Sequence, residues 1–90
     1  MNIAGKKALV LGASRGIGLA VARTLADEGA RLALPWYDWP ESAAAMAKEF
    51  GGESDGNLIM QVDLRKADET AGMMAAIEAR LGGLDILINN

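Results

Sequence analysis

The sequence predicts an α/β fold in which four parallel strands of one open sheet are connected by three helices. Short apolar runs alternate with segments of helical periodicity, and only a few residues separate one segment from the next. Such alternation is typical of β-α-β units with right-handed crossovers, whose strands are apolar throughout because both faces of the sheet are covered. A glycine-rich turn after the first apolar run supports the same fold class. With 90 residues, the chain is one domain or part of one.

The first half of the chain contains two predicted strands and the helix between them. A continuous apolar run over residues 7–12 predicts the first strand, and a run over residues 31–34, closed by Pro35, predicts the second. Between them the period changes to that of a helix, which begins at Gly16 and is capped at Gly29. Its predicted buried face consists of Ile17, Ala20, Val21, Thr24 and Leu25.

The second half of the chain repeats the alternation. Pro40 lies where a first-turn proline would open a helix, and glycine pairs at positions 51–52 and 82–83 would end two helices. The predicted elements are a loop over residues 36–40, a helix over 41–50, a polar loop over 53–56, a strand over 58–62, a helix over 67–81 and a strand over 84–88. The predicted buried faces are Ala43, Met46, Ala47 and Phe50 on the second helix, and Ala67, Ala71, Met74, Ile77 and Leu81 on the third.

The composition excludes several classes of function. The chain has 9 basic and 12 acidic residues, and a net charge of −3 argues against a nucleic-acid or anionic-membrane surface. It contains no Cys and no His, which excludes a thiolate nucleophile, a Ser-His-Asp triad and metal sites built on Cys or His. No apolar run approaches the roughly 20 residues of a membrane span. The absence of Cys fits a cytoplasmic location, which is the expected one.

A glycine-rich turn over residues 11–18, Leu-Gly-Ala-Ser-Arg-Gly-Ile-Gly, lies between the first predicted strand and the first helix. A tight turn needs positive φ, and a backbone that closely approaches a pyrophosphate has no room for a Cβ, so both demands favour glycine. The helix that follows would offer unpaired N–H groups and the positive end of its dipole to the phosphate. The alternative is a turn that only lets helix and strand pack closely. Within a β-α-β unit, we favour a dinucleotide site.

Three motifs at the ends of predicted strands resemble those of the classical short-chain dehydrogenases/reductases. The turn has the family's spacing G-x-x-x-G-x-G, although Leu11 stands where the family usually has Thr. The sequence stops at Asn90, before the family's N-N-A-G motif is complete. The matching residues are Gly12, Gly16, Ile17 and Gly18 in the turn, Val62-Asp63-Leu64 after the third strand and Ile88-Asn89-Asn90 after the fourth.

The resemblance implies the N-terminal portion of a Rossmann-type doubly wound sheet with strand order 3-2-1-4, and a nicotinamide dinucleotide as cofactor. In the family, the Asp of the second motif contacts adenine and the Asn of the third lines the adenosine ribose. Asp63 could instead have only a turn role or cap the following helix, and Asn89 and Asn90 could satisfy loop backbone groups. The predicted cofactor-binding residues are Gly12, Ala13, Ser14, Arg15, Gly16, Ile17, Gly18, Tyr37, Asp63, Leu64, Asn89 and Asn90.

The end of the second strand bears on the choice between NADP and NAD. Members of the family that use NAD place an acid there, but Trp36 occupies that position and Tyr37 the next. Asp38 follows, and it would repel a phosphate if it turned inward. Arg15 resembles the basic residue that NADP users carry in the turn, so NADP is favoured over NAD. Arg15 could also be a solvated loop charge, and Trp36 and Trp39 could wall the adenine site, cover the sheet edge or face a partner.

The family's reaction is hydride transfer between the nicotinamide and a carbonyl or alcohol, with a Tyr, a Lys and a Ser as catalytic residues in the signature Y-x-x-x-K. The only tyrosine is Tyr37, and Glu41 stands four residues later, so no catalytic residue is assigned and the 90 residues alone are expected to be inactive. The resemblance implies that catalysis, substrate binding and the contacts of a homo-oligomer lie beyond this chain. The turn is especially similar to that of the 3-oxoacyl-[acyl-carrier-protein] reductases.

Two other functions stay open from the sequence. One is a non-catalytic dinucleotide-binding module, and the other is a different α/β enzyme, such as a methyltransferase that uses S-adenosylmethionine. The ordered motifs at Asp63 and at Asn89-Asn90 argue against the methyltransferase. No metal site is predicted.

Overall fold

The computed structural model describes residues 2–51 and 56–90, and within them the predicted alternation of strands and helices is confirmed. The polar loop predicted over residues 53–56 lies outside the described residues, except for Gly56. The elements are β1 (Lys7–Val10), α1 (Gly16–Asp27), β2 (Arg31–Trp36), α2 (Pro40–Phe50), β3 (Leu58–Gln61), α3 (Ala67–Leu81) and β4 (Ile86–Ile88).

In the described part of the chain, the four strands form one parallel sheet in the order β3-β2-β1-β4, which confirms the predicted order. Ala8 of the inner strand β1 pairs with Leu32 of β2 on one side and with Ile86 of β4 on the other. β3 pairs with the far side of β2, where Trp36 lies opposite Gln61. Because all four strands run in the same direction, the segments that follow them emerge at one edge of the sheet.

Helices cover both faces of the sheet, as its apolar strands require. α1 and α2 pack on one face and α3 on the other. An ion pair at 2.6 Å between Arg23 and Glu49 joins α1 to α2 at the surface. The core under α1 and α2 consists of Ala8, Val10, Ala13, Ala22, Leu25, Ala30, Leu32, Leu34, Met46 and Phe50. The core under α3 consists of Leu9, Ala33, Leu58, Val62, Met73, Ile77 and Leu81.

The prediction that Pro35 closes the second strand is wrong, because β2 continues to Trp36. The N–H groups of a strand alternate between its two neighbours, and the N–H of Arg31 donates to the carbonyl of Lys6 on the β1 side at 2.8 Å. Pro35, four residues later, faces the same side, beyond Ala33, the last residue of β2 that is paired with β1. Its missing N–H therefore interrupts no pair of the ladder.

The ends of the other elements lie close to the predicted ones. α2 and α3 end at the predicted glycines, with Gly51 and Gly82 as their C-caps, and Gly29 lies just beyond the end of α1. Three strands are shorter than predicted, since β1 ends at Val10, β3 ends at Gln61 and β4 begins at Ile86.

The predicted buried face of α1 is confirmed at Leu25 and wrong at Ile17, Ala20 and Thr24. The buried residues of this helix are Gly18, Ala22 and Leu25, whereas Ile17 is 75% exposed. α1 carries small and apolar residues on two sides, so periodicity alone does not decide which side faces the sheet. Gly18 decides it, because it approaches the backbone of Gly12 too closely to hold any side chain. Of the other residues predicted to be buried, Val21 is half-buried, and Ala20 and Thr24 are exposed.

The predicted face of α3 is confirmed at Ile77 and Leu81 and wrong over the first half of the helix. Met73, Ile77 and Leu81 are buried, whereas Met74 is 42% exposed. Met73 and Met74 are equally apolar neighbours about 100° apart on the helix, so their sequence alone does not decide which of the two is buried. Ala67 and Ala71 are exposed as well. On α2, Met46 and Phe50 are buried as predicted, Ala43 is half-buried and Ala47 is exposed.

Candidate functional site

A cleft of about 500 Å³ opens at the carboxyl edge of the sheet, where the segments after β1, β2 and β3 emerge. Residues 12–15 of the glycine-rich turn line one side, residues 35–39 line the end of β2, and residues 62–65 line the end of β3. Ser42, in the first turn of α2, completes the wall. The position agrees with the general rule that open α/β sheets bind ligands beyond the carboxyl ends of their strands.

The glycine-rich turn has the backbone conformation that its sequence predicts. Gly12 and Gly16 have φ values of +69° and +63°, in the left-handed region that residues with a Cβ rarely adopt. The turn leads directly into α1, whose N-cap residue, Arg15, makes no side-chain capping hydrogen bond. The first N–H groups of α1 therefore keep no partner within the helix, and the positive end of the helix dipole lies at the turn.

Gly18 has a packing role, which is the alternative that the sequence left open for this turn. A Cβ built at this position would lie 2.0 Å from the carbonyl oxygen of Gly12 and 2.8 Å from the side-chain nitrogen of Asn90. That nitrogen also donates a hydrogen bond to the Gly12 oxygen at 3.3 Å. Gly18 and Asn90 thus bring the start of α1, the turn and the end of β4 together behind the cleft. A Cβ at Gly16, by contrast, would meet nothing within 4 Å.

The structure brings seven of the twelve predicted cofactor-binding residues to the cleft and leaves five outside its wall. Gly16, Gly18 and Asn90 lie at or behind the turn, Ile17 is on the exposed side of α1, and Asn89 is exposed after β4. The seven residues that line the cleft are Gly12, Ala13, Ser14, Arg15, Tyr37, Asp63 and Leu64.

Asp63 is the only charged or polar residue among the buried ones in the described part of the chain, with 4% of its surface exposed. Its Oδ1 accepts from the backbone N–H of Arg65 at 3.0 Å and from Nε of the same residue at 2.9 Å. Its Oδ2 accepts from Nη2 of Arg65 at 3.0 Å. The backbone N–H of Asp63 donates to Oε1 of Glu69 at 2.9 Å. Position and orientation of this carboxylate are therefore both fixed.

Arg65 also reaches across the cleft to the β2 side. Its Nη2 donates to the hydroxyl of Tyr37 at 3.0 Å, and its guanidinium lies 5.1 Å from the centre of the Tyr37 ring. The hydrogen bonds from Arg65 lower the pKa of the Asp63 carboxyl to about 2, although burial acts in the opposite direction. The same pair raises the pKa of Arg65. Asp63 is thus an anion at neutral pH, and it links the ends of β2 and β3 through Arg65.

The alternative role of Asp63 as a helix cap does not describe its geometry, because the N-cap of α3 is Lys66, which makes no side-chain capping bond. The turn role that the sequence left open does describe it, since Asp63 closes a turn onto the N–H of Arg65, two residues later.

Arg15 is the second guanidinium of the cleft, and it stacks on an aromatic ring. Its Cζ lies 3.9 Å from the centre of the Trp39 ring, a cation–π distance. Trp36 occupies the position at the end of β2 where an acid would indicate NAD, and Asp38 is exposed.

Sequence reasoning missed Arg65 and Ser42. The only signal for Arg65 was its position two residues after Asp63, which permits a side chain to fold back onto the carboxylate. Ser42 carried no signal, because a serine in the first turn of a helix is common for reasons unrelated to ligands.

Two kinds of feature are absent from residues 2–51 and 56–90. No group of three acidic residues converges there as metal ligands would. None of the helices in these ranges has the length and apolar character needed to cross a membrane.

The family model described as "short chain dehydrogenase" matches residues 6–90. The chain belongs to the short-chain dehydrogenase family. A D-beta-hydroxybutyrate dehydrogenase of Rhizobium meliloti is 42% identical over 86 residues, and the match covers 94% of this chain and 33% of that protein. A 3-oxoacyl-[acyl-carrier-protein] reductase, FabG, of Staphylococcus aureus is 38% identical over 85 residues, covering 94% of this chain and 35% of the reductase. The chain thus spans about a third of the length of these short-chain dehydrogenases.

Solved structures confirm the short-chain dehydrogenase fold. A dehydrogenase/reductase from Sinorhizobium meliloti superposes with a TM-score of 0.80 at 41% identity, over 99% of this chain and 36% of the other. A blue fluorescent protein from a metagenomic library, solved in complex with NADPH, superposes with a TM-score of 0.82 at 33% identity. That match covers all of this chain and 37% of the other.

Proposed function

We propose that this chain forms the adenosine- and pyrophosphate-binding half of a nicotinamide-dinucleotide-dependent oxidoreductase. The observation that carries the proposal is the cleft at the carboxyl edge, where the start of α1 faces a buried, fixed carboxylate, Asp63, at the end of β3. The NADPH complex of a structural neighbour and the family match support a dinucleotide as ligand. In the whole protein, the bound nicotinamide would give or accept a hydride at a carbonyl or alcohol substrate.

The pyrophosphate would bind at the glycine-rich turn. Residues 12–15 line the cleft, and Gly12 and Gly16 take left-handed conformations that turn the backbone into α1. The free N–H groups and dipole of the first turn of α1 would stabilise the two negative charges. Ile17 can contribute only its backbone N–H, because its side chain points to solvent on the outer side of α1.

The adenine ring would bind between the ends of β2 and β3, beside Tyr37, Asp63 and Leu64. A carboxylate has about four acceptor sites, and Arg65 fills two on Oδ1 of Asp63 and one on Oδ2. One site on Oδ2 is left to accept from the amino group of adenine. Leu64 is 47% exposed and lines the cleft, so it offers an apolar surface to the base.

The ribose next to adenine would lie in the cleft beside the glycine-rich turn, and Asn90 would approach it from behind the turn. Asn90 already holds the Gly12 carbonyl through its nitrogen, so its amide oxygen is oriented as an acceptor for a sugar hydroxyl. Asn89 precedes it on the exposed end of the strand and would support the same contact.

NADP is proposed as the preferred cofactor. The residues at the end of β2 that line the cleft include no carboxylate at positions 36 and 37, while Arg15 carries a cation at its rim. A ribose hydroxyl would find no acid at those two positions, whereas a 2′-phosphate would find a guanidinium.

The groups that catalyse hydride transfer are proposed to lie outside these 90 residues. Tyr37 lies at the end of the cleft proposed for adenosine, where its hydroxyl accepts from Arg65, and Glu41 takes the place of the Lys in Y-x-x-x-K. The substrate, a carbonyl or acyl compound, and a homo-oligomeric assembly would likewise involve the rest of the protein.

Titration with cofactors tests this function. Trp36 and Trp39 are the two tryptophans of the chain, and both line the cleft, so their fluorescence reports binding there. We expect a saturable change with NADP and with NAD, with NADP about tenfold tighter because of its charged contact. S-adenosylmethionine should give no change at the same concentrations. A response to S-adenosylmethionine alone, or to no dinucleotide, would contradict the proposal.

A further inference from the structure

The two arginines that line the cleft differ in what neutralises them. Arg65 pairs with Asp63 at 2.9 Å, so its charge is already balanced. Within residues 2–51 and 56–90, the side chain of Arg15 makes no ion pair and no hydrogen bond. Its guanidinium makes a cation–π contact with the ring of Trp39. The cleft thus contains one guanidinium that is held in place but not charge-paired.

Trp39 is itself fixed by the backbone. It is the N-cap residue of α2, and its carbonyl accepts from the N–H groups of Ser42 at 2.9 Å and Ala43 at 3.3 Å. Pro40 follows and restricts the chain at the start of the helix. The backbone of Trp39 is therefore fixed at the start of α2, and its ring contacts Arg15, which comes from the opposite wall of the cleft.

We propose that Trp39 is a positioning residue for cofactor specificity, and that its ring holds the Arg15 guanidinium where the 2′-phosphate of NADP binds. This inference depends on the proposed function. It assigns the preference for NADP over NAD to a pair of residues on two walls of the cleft, Arg15 from the glycine-rich turn and Trp39 from the start of α2.

The chemistry of stacking leaves the arginine free to bind the phosphate. A cation–π contact uses the face of the guanidinium, while its N–H donors lie in the plane of the group and remain available to phosphate oxygens. Restricting a flexible side chain before the ligand arrives reduces the entropy lost on binding. Asp38 also lines the cleft and would repel a phosphate. The position of the Arg15 cation therefore affects phosphate binding more than it would beside a neutral residue.

The test is the ratio of the NADP and NAD dissociation constants, measured by calorimetry so that no tryptophan signal is needed. We expect Trp39→Leu to reduce the preference for NADP about three- to tenfold, in line with the strength of a partly exposed cation–π contact. Trp39→Phe, which keeps an aromatic face, should retain part of the preference. Arg15→Gln should reduce it at least as far as Trp39→Leu does.

The double variant Arg15→Gln/Trp39→Leu separates positioning from a general structural role. If Trp39 acts through Arg15, the double variant should show the same ratio as Arg15→Gln alone. An unchanged ratio in Trp39→Leu, or a further loss of preference in the double variant, would overturn the inference while both cofactors still bind. Failure of the unmodified protein to bind either cofactor would instead overturn the proposed function.

Discussion

Gly18→Ala is expected to lower the free energy of unfolding by about 3 kcal/mol, the upper range for an overpacked site. The added Cβ would lie 2.0 Å from the Gly12 oxygen and 2.7 Å from its carbonyl carbon. These are backbone atoms held between β1 and α1, so they cannot move aside as a side chain could. Either the start of α1 lifts from the sheet or the glycine-rich turn changes shape. Urea denaturation monitored by circular dichroism measures the loss.

Gly72→Ala is the matched control, since it makes the same change inside another helix. Gly72 lies on the exposed side of α3, and a Cβ there would meet nothing within 4 Å. This variant should be more stable than the unmodified chain by about 0.5–1 kcal/mol, because alanine has the higher helix propensity. If both variants shift stability equally, the close packing of Gly18 against Gly12 is not what makes glycine necessary there.

Asp63→Asn is expected to weaken the binding of NADP and NAD alike, by about tenfold or more, the usual cost of losing a charged hydrogen bond. Asparagine keeps the size of the side chain, but its amide nitrogen presents donors where Arg65 and the adenine amino group both need acceptors. Because both cofactors contain adenine, the binding of both should weaken, whereas the variants at Trp39 should weaken mainly the binding of NADP. Calorimetric affinities equal to those of the unmodified protein would contradict an adenine contact at Asp63.

The lowered pKa of Asp63 predicts how the stability of the protein depends on pH. This pKa is lowered from 3.8 to about 2, so the stability that the Asp63–Arg65 pair contributes is complete above about pH 4 and is lost as the pH falls toward 2. Carbon-13 NMR of the Asp63 carboxyl should show no titration between pH 7 and 4. In Arg65→Leu, the midpoint should move up toward 3.8. A titration midpoint near 3.8 for Asp63 in the unmodified protein would contradict its pairing with Arg65.

Much of the fold could be predicted because parallel strands covered on both faces are apolar throughout, and β1, β2 and β3 stand out in the sequence for that reason. Which side of each helix packs against the sheet could not be predicted in the same way. α1 has Ile17 on one side and Ala22 on another, both acceptable in a core, and only the approach of Gly18 to Gly12 selects between them. Met73 and Met74 present the same ambiguity on α3.

One part of the site could be predicted from the sequence and another part could not. The glycine-rich turn could be predicted because its function constrains the backbone, and a backbone constraint appears in the sequence as glycine. The contacts of the Arg65 and Arg15 guanidinium groups could not be predicted. Arg65 reaches Tyr37, 28 positions away, and Arg15 reaches Trp39 across the cleft, so neither contact leaves a local pattern. Such partners are determined by the way β1, β2 and β3 align their ends.

The structure of the protein in complex with NADP is the most direct test of the central claim that the carboxyl-edge cleft binds the adenosine half of a dinucleotide. The pyrophosphate should lie against residues 12–15 at the start of α1, with the adenine between Tyr37 and Leu64 and its amino group on Oδ2 of Asp63. The 2′-phosphate should contact Arg15 while that residue stays stacked on Trp39. A dinucleotide bound elsewhere, or one whose nicotinamide occupies the Asp63 end of the cleft, would contradict the assignment.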